Sequence, residues 1–231
     1  MQKFVIFLVL VLSSALFAKA QVDYTLRNAY EFYRSNRVAT GEYRNVLTEK
    51  DIQGSPYLND EFIKGSIYTL SKTQYADIPL RYNIYNDEIE FETEDKKVAA
   101  LDAPEVVEKV TFGNYTMEYI PFEVAKKVKK GFFEILLKGK ASLYARPDVE
   151  FHQAKAPQPY KDAEPAKFIR KADNYYLRFG MEPAVSCGNK KELVESFPEH
   201  KNEMEAFIKK NKINVKKEDE LKKLVEYYNS L

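Results

Sequence analysis

Residues 54–187 predict an α+β, mainly β fold: a large antiparallel meander sheet, able to curl into an open barrel, followed by a tail of about three short helices over 188–231. Three observations predict it. Apolar residues recur at every second position over most of the chain, the period of a half-buried strand. Turn chemistry separates the alternating runs, as at Asn86-Asp87 and Gly113-Asn114. After Cys187 the apolar period lengthens to that of a helix.

The run LRYNIYNDEIEF folds on Asn86-Asp87, two residues that tolerate positive φ. A two-residue loop there sets Ile84 opposite Ile89, Tyr82 opposite Phe91 and Arg81 opposite Glu92. Leu80, Tyr82, Ile84, Ile89 and Phe91 then share a core face. The other face carries Glu88, Glu90, Glu92 and Glu94. Carboxylates two apart on a strand lie about 6.5–7 Å apart with nearly parallel side chains. Hard cations need oxygen ligands converging from several directions, which a straight row does not offer. The row therefore reads as a wet face that guards the sheet against mispairing.

A second hairpin turns at Gly113-Asn114, setting Phe112 opposite Tyr115 and Val110 opposite Met117. GFFEILLKGKASLYAR turns near Lys138-Gly139, although Phe132–Leu137 alone fits a strand or one helical turn. Further strands are predicted at Phe62–Leu70, Lys97–Leu101, Lys167–Lys171 and Tyr175–Phe179, for eight to ten in all. Residues 154–166 hold three prolines and read as an extended connection.

In the tail, Asn189 is the expected N-cap of a helix whose Leu193, Val194 and Phe197 share a face. Pro198 and Glu199 open a second helix running to Lys210, with Met204, Phe207 and Ile208 on its stripe. A third, Lys217 to Asn229, repeats Leu221, Leu224, Val225 and Tyr228 at helical spacing. Helices this short need packing to persist, so the tail is expected to pack on the same domain.

The start of the chain reads as a secretory leader over residues 1–20. Lys3 supplies the positive region, Phe4 to Phe17 the apolar stretch, and Ala18-Lys19-Ala20 the cleavage site. Residues 21–53 form an N-terminal arm, read as a fourth helix or an irregular segment. The expected location is the periplasm or the exterior, with no transmembrane anchor after cleavage. The 231-residue chain has a net charge of +1, and shedding Lys3 and Lys19 brings it to about −1. That balance argues against a nucleic-acid partner, which calls for a strongly basic face.

Candidate chemistry is sparse. Cys187 is the only cysteine, which excludes an intramolecular disulfide and fits a buried, unreactive thiol. Of the two histidines, His152 sits in an alternating run and His200 lies one turn before Glu203. A His-x-x-Glu pair holds a metal only with ligands from neighbouring helices, so a surface histidine is the simpler reading. The sequence contains no G-x-S-x-G, H-E-x-x-H, phosphate-binding glycine loop or EF-hand loop. No cofactor, metal ligand or catalytic residue is assigned.

GSPYLNDEF (Gly54–Phe62), LRYNIYNDEIEF (Leu80–Phe91), GKASLYAR (Gly139–Arg146) and the tail FIKKNKI…LVEYYNSL resemble a family of uncharacterised exported bacterial proteins. The resemblance implies architecture, a β-meander with a short helical tail, and transfers no activity or site. The expected function is that of a non-enzymatic binding or envelope-associated module acting through contacts with another envelope or secreted protein. Tyr57, Leu58, Phe62, Tyr227 and Tyr228 are the candidate contact surface, because aromatics and mixed charge meet there. The alternative is a carrier of a lipid or other apolar ligand inside a curled sheet; a hydrolase comes third.

Overall fold

The computed structural model describes residues 52–157, 159 and 162–231; the predicted leader and nearly all of the predicted arm lie outside the described residues. Ten strands form one curled, half-barrel sheet with three short helices after it. They are β1 (Ile63–Thr69), β2 (Gln74–Asn83), β3 (Glu88–Glu92), β4 (Val98–Ala100), β5 (Val107–Phe112), β6 (Tyr115–Val124), β7 (Lys127–Leu137), β8 (Ala141–Arg146), β11 (Asn174–Phe179) and β12 (Val185–Ser186). Their order is β12-β11-β8-β7-β6-β5-β1-β2-β3-β4, and neighbours pair antiparallel. The inserted β9 (Val149–His152) and β10 (Lys167–Arg170) pair separately. One link departs from a plain meander: after β4 the chain crosses back to place β5 beside β1.

The Gly113-Asn114 hairpin has the expected register, with Phe112 opposite Tyr115 and Val110 opposite Met117. Gly113 takes the left-handed φ of +55° that this turn requires. Phe132–Leu137 is strand, part of β7. The β2–β3 register differs from the expectation by two positions, pairing Leu80 with Phe91, Arg81 with Glu90 and Tyr82 with Ile89. Its loop is four residues, Ile84 to Asp87. The segment before β1 causes this: the Ile84 N–H donates to the Pro56 carbonyl at 2.8 Å instead of closing a hairpin rung. A two-residue slip preserves the faces, so Leu80, Tyr82 and Ile89 are still buried.

One edge of the sheet curls back on itself. Ala184, just before β12, donates its N–H to Pro121 O at 2.8 Å and accepts from Glu123 N at 2.9 Å. Residues 184–186 thus join β6 on one side and β11 on the other, closing a ring through β6, β7, β8, β11 and β12. Ile120, Phe122, Phe133, Tyr144, Tyr176 and Ala184 fill it. Phe133 meets Phe122 at 5.1 Å and Tyr176 at 5.0 Å, both edge to face.

The helices are α1 (Lys190–Ser196), α2 (Lys201–Lys210) and α3 (Glu218–Ser230). Asn189 caps α1 as expected, accepting from Glu192 N at 2.8 Å. The second helix starts later than its sequence suggests, because His200 takes a left-handed φ of 58° at the N-cap. Leu193, Phe197, Met204, Ile208, Leu221 and Leu224 pack with Leu143 and Leu177 of the sheet in one core. Asn229 holds the end of α3 to β8, accepting from Ala141 N at 2.8 Å and donating to Ala141 O at 3.0 Å.

Candidate functional site

The loop predicted to be a contact surface is fastened to the sheet. Gln53 exchanges hydrogen bonds with Ala166 and Phe168 beside β10, and the Leu58 N–H donates to Tyr82 O at 2.9 Å. Gly54 has φ +74° with its α-carbon against the Phe168 carbonyl, leaving no room for a side chain. Tyr57 and Phe62 clamp the Arg81 guanidinium, whose carbon lies 3.7 Å and 4.4 Å from their ring centres. Tyr57, Leu58 and Phe62 are half-buried in this arrangement.

Beneath the clamp the glutamate row is not a wet face throughout, contrary to the sequence-based expectation. Glu90 is buried, 8% exposed. Its carboxylate accepts from Arg81 Nε at 2.8 Å and from Asn83 Nδ2 at 2.9 Å, with Arg81 Nη2 at 2.7 Å. Alternation did place Glu90 opposite the core face, but a second layer, the 53–62 loop, covers that position. Glu94 is exposed and Glu92 pairs with Lys96 at 2.7 Å, so the outer part of the row keeps its expected character.

In the tail, Tyr228 is only 6% exposed and packs against Phe197 and Phe179 at 4.9 and 5.7 Å. It belongs to the core between helices and sheet. Tyr227 is half-buried and stacks on Phe207 at 4.2 Å. The five predicted contact residues therefore fall in two separate structural clusters.

Two polar clusters sit on the closed ring. At one, Asp87 accepts from Tyr82 Oη at 2.7 Å, Phe132 N at 3.0 Å and Arg146 Nη2 at 2.9 Å. Arg146 also lies 4.4 Å from the Phe122 ring centre. Asp87 caps the edge of β7 past the end of β8, and Gly131 leaves space for it: a Cβ there would stand 2.5 Å from Asp87 Oδ2. Burial, then the Asp87 charge, pushes the Tyr82 phenol well above its ordinary range. At the other, Lys138 Nζ donates to Glu118 at 2.6 Å and Tyr144 Oη at 2.7 Å, and Tyr144 donates to Glu118 at 2.7 Å. Burial raises the Tyr144 phenol. Burial opposes charge on Lys138, yet its hydrogen bonds to Glu118 and Tyr144 outweigh that and raise it. A Tyr–Lys proton-transfer pair needs lowered values; these groups tie strands together.

Cys187 is 1% exposed, and burial pushes its thiol up to about 12, which suppresses the nucleophilic thiolate. His200 faces Glu203 at 3.4 Å at the surface. No metal-holding group of three His, Cys, Asp or Glu side chains occurs among the described residues. Glu134 of β7 has a carboxyl pushed up to about 7, chiefly by burial, then by Glu218 and Asp173, with Lys222 opposing. The native state thus holds this proton more tightly than the unfolded chain, whose ordinary value is 4.5. Stability from this group is full below pH 4.5 and lost as pH rises through 7. Glu134→Gln is expected to stabilise the protein at pH 8 by about 1–2 kcal/mol after discounting for solvent screening. It is expected to change little at pH 4.5; urea unfolding at the two values checks this.

Among the described residues, six of the nine exposed large apolar side chains lie elsewhere, and Tyr85, Met181 and Leu231 stand apart from them. Strand directions and register bring the β1–β2, β3–β4 and β6–β7 turns, with the start of β5, to one rim of the sheet. Leu70, Tyr75, Val98, Val106, Val124 and Val128 stand there, each at least 36% exposed. Leu70 and Val106 adjoin, with the Leu70 N–H donating to Val106 O at 2.9 Å. The rim is mixed in charge, carrying the pairs Lys72–Glu108, Lys96–Glu92 and Lys97–Asp95. Sequence reasoning missed it because these residues are scattered singly; only the order of strands assembles them.

Comparison with known proteins finds no match: no family model, curated protein or solved structure aligns with the chain. No helix among the described residues is long and apolar enough to cross a membrane.

Proposed function

We propose that the chain is an exported, non-catalytic, envelope-associated binding module that acts through protein–protein contacts made by this rim. The observation that carries the reading is the placement of apolar surface. Six exposed large apolar side chains share one rim, while the closed ring is filled by the chain's own aromatic residues. Apolar side chains left exposed along one rim, with Leu70 and Val106 adjoining, offer surface for recognition of another macromolecule. A ring filled by its own side chains favours a rigid support over a container.

Native mass spectrometry of the mature protein, gently purified from its own cells, tests this. The expected result is a second polypeptide that is lost when Leu70, Tyr75 and Val106 are replaced together by lysine. A retained mass in the lipid range without a second chain would favour the apolar-ligand carrier. A partner that survives the triple substitution would overturn the rim as the contact surface.

A further inference from the structure

We propose that the β6–β7 hairpin is an electrostatic and apolar anchor for an anionic lipid surface. Residues 123–130, EVAKKVKK, are all exposed. Ala125 and Lys126 form the turn, with left-handed φ values of 49° and 64°. Beyond Glu123 the hairpin outruns its neighbours: β8 pairs with β7 only from Glu134 onward, β5 pairs with β6 only as far as Met117, and Ala184 bonds β6 only as far as Glu123. Lys126, Lys127, Lys129 and Lys130 have no carboxylate partner among the described residues, whereas the other rim lysines, Lys72, Lys96 and Lys97, are paired. Glu123 is the hairpin's one acid, so the segment carries an excess of three positive charges on a nearly neutral chain.

Between these lysines stand Val124 and Val128, 36% and 60% exposed. Lys127 and Lys129 pair with Val124 and Phe122, whereas Val128 and Lys130 pair with Glu123 and Pro121, so the positive excess lies on the Val124 face and at the Lys126 turn. Lysines that only guard a strand edge need no exposed valines between them. Short apolar groups ringed by mobile ammonium groups are the chemistry of shallow insertion beside anionic headgroups. An acidic protein would more commonly be met by the bidentate geometry of arginine, which this hairpin lacks.

The proposal needs no protein partner; it assigns Val124 and Val128 to the lipid surface and leaves the rim contact to Leu70, Tyr75, Val98 and Val106. The mature chain is sedimented with vesicles of phosphatidylcholine alone and of phosphatidylcholine mixed with phosphatidylglycerol. Binding is expected only to the mixed vesicles, and raising the salt is expected to abolish it. Replacing the four hairpin lysines by glutamine is expected to weaken it more than tenfold. Replacing Lys190, Lys191, Lys212 and Lys216 of the tail, an equal change in net charge, is expected to leave it within twofold. Equal loss in both variants, or binding to neither vesicle, would overturn the proposal. Capture by polyglutamate beads but not by mixed vesicles would instead assign the hairpin to an acidic protein.

Discussion

Phe133→Ala is expected to lower the unfolding free energy by about 3–5 kcal/mol, the range for a fully buried aromatic truncated in a core that cannot collapse. Phe133 is 0% exposed and touches Phe122, Tyr144 and Tyr176, and the Arg146 guanidinium lies 5.4 Å from its ring centre. All these neighbours sit on strands of a closed ring, so none can move inward without breaking strand hydrogen bonds. Urea unfolding at pH 7 measures the loss, with Val128→Ala, on an exposed strand position, expected within ±0.5 kcal/mol or so. A loss below about 1 kcal/mol would mean that the ring interior is slack, and would restore the case for a ligand there.

Glu90→Ala is expected to cost about 3–5 kcal/mol, because it strands the Arg81 guanidinium under Tyr57 and Phe62 with no counter-charge. Side-chain exposures of 15% for Arg81 and 10% for Glu90 place the pair well inside the surface. The double variant Arg81→Met with Glu90→Gln is expected to recover most of that loss, since it removes both charges and leaves an amide oxygen to accept from the buried Asn83. Glu94→Ala, on the exposed end of the same row, is expected within about 0.5 kcal/mol of the parent. If Glu90→Ala were equally mild, the pair would be a surface contact and the loop above it only loosely held.

The contrast between Glu90 and Glu94 shows how far the sequence could be read. Period-two alternation identifies faces, and it did so for Leu80, Tyr82, Ile89, Val110 and Met117, all buried. It cannot say whether a further layer covers the polar face, and the 53–62 loop is such a layer. Turn chemistry located the Gly113-Asn114 hairpin, where glycine supplies the left-handed residue locally. At Asn86-Asp87 the tertiary bonds to the Pro56 carbonyl and from the Phe132 N–H set the loop instead. The Ala125-Lys126 turn carries no recognisable turn dipeptide and left no signal. Helical spacing placed Leu221, Leu224, Val225 and Tyr228 correctly on one stripe, and that burial removes Tyr228 from any contact surface. The exposed rim was illegible because strand order, with β5 beside β1, is a long-range fact.

The closure at Ala184 also bears on how the chain reaches this state. Phe122 and Ala184 are far apart in sequence, so ring closure joins a distant loop and belongs among the slow steps of folding. Until residue 184 arrives, the outer half of β6 is an unpaired edge, open to any extended segment in reach. A chain made from its N-terminus exposes that edge throughout synthesis of β7 to β11. Refolding yield should therefore fall with protein concentration, through strand exchange at β6 between neighbouring molecules.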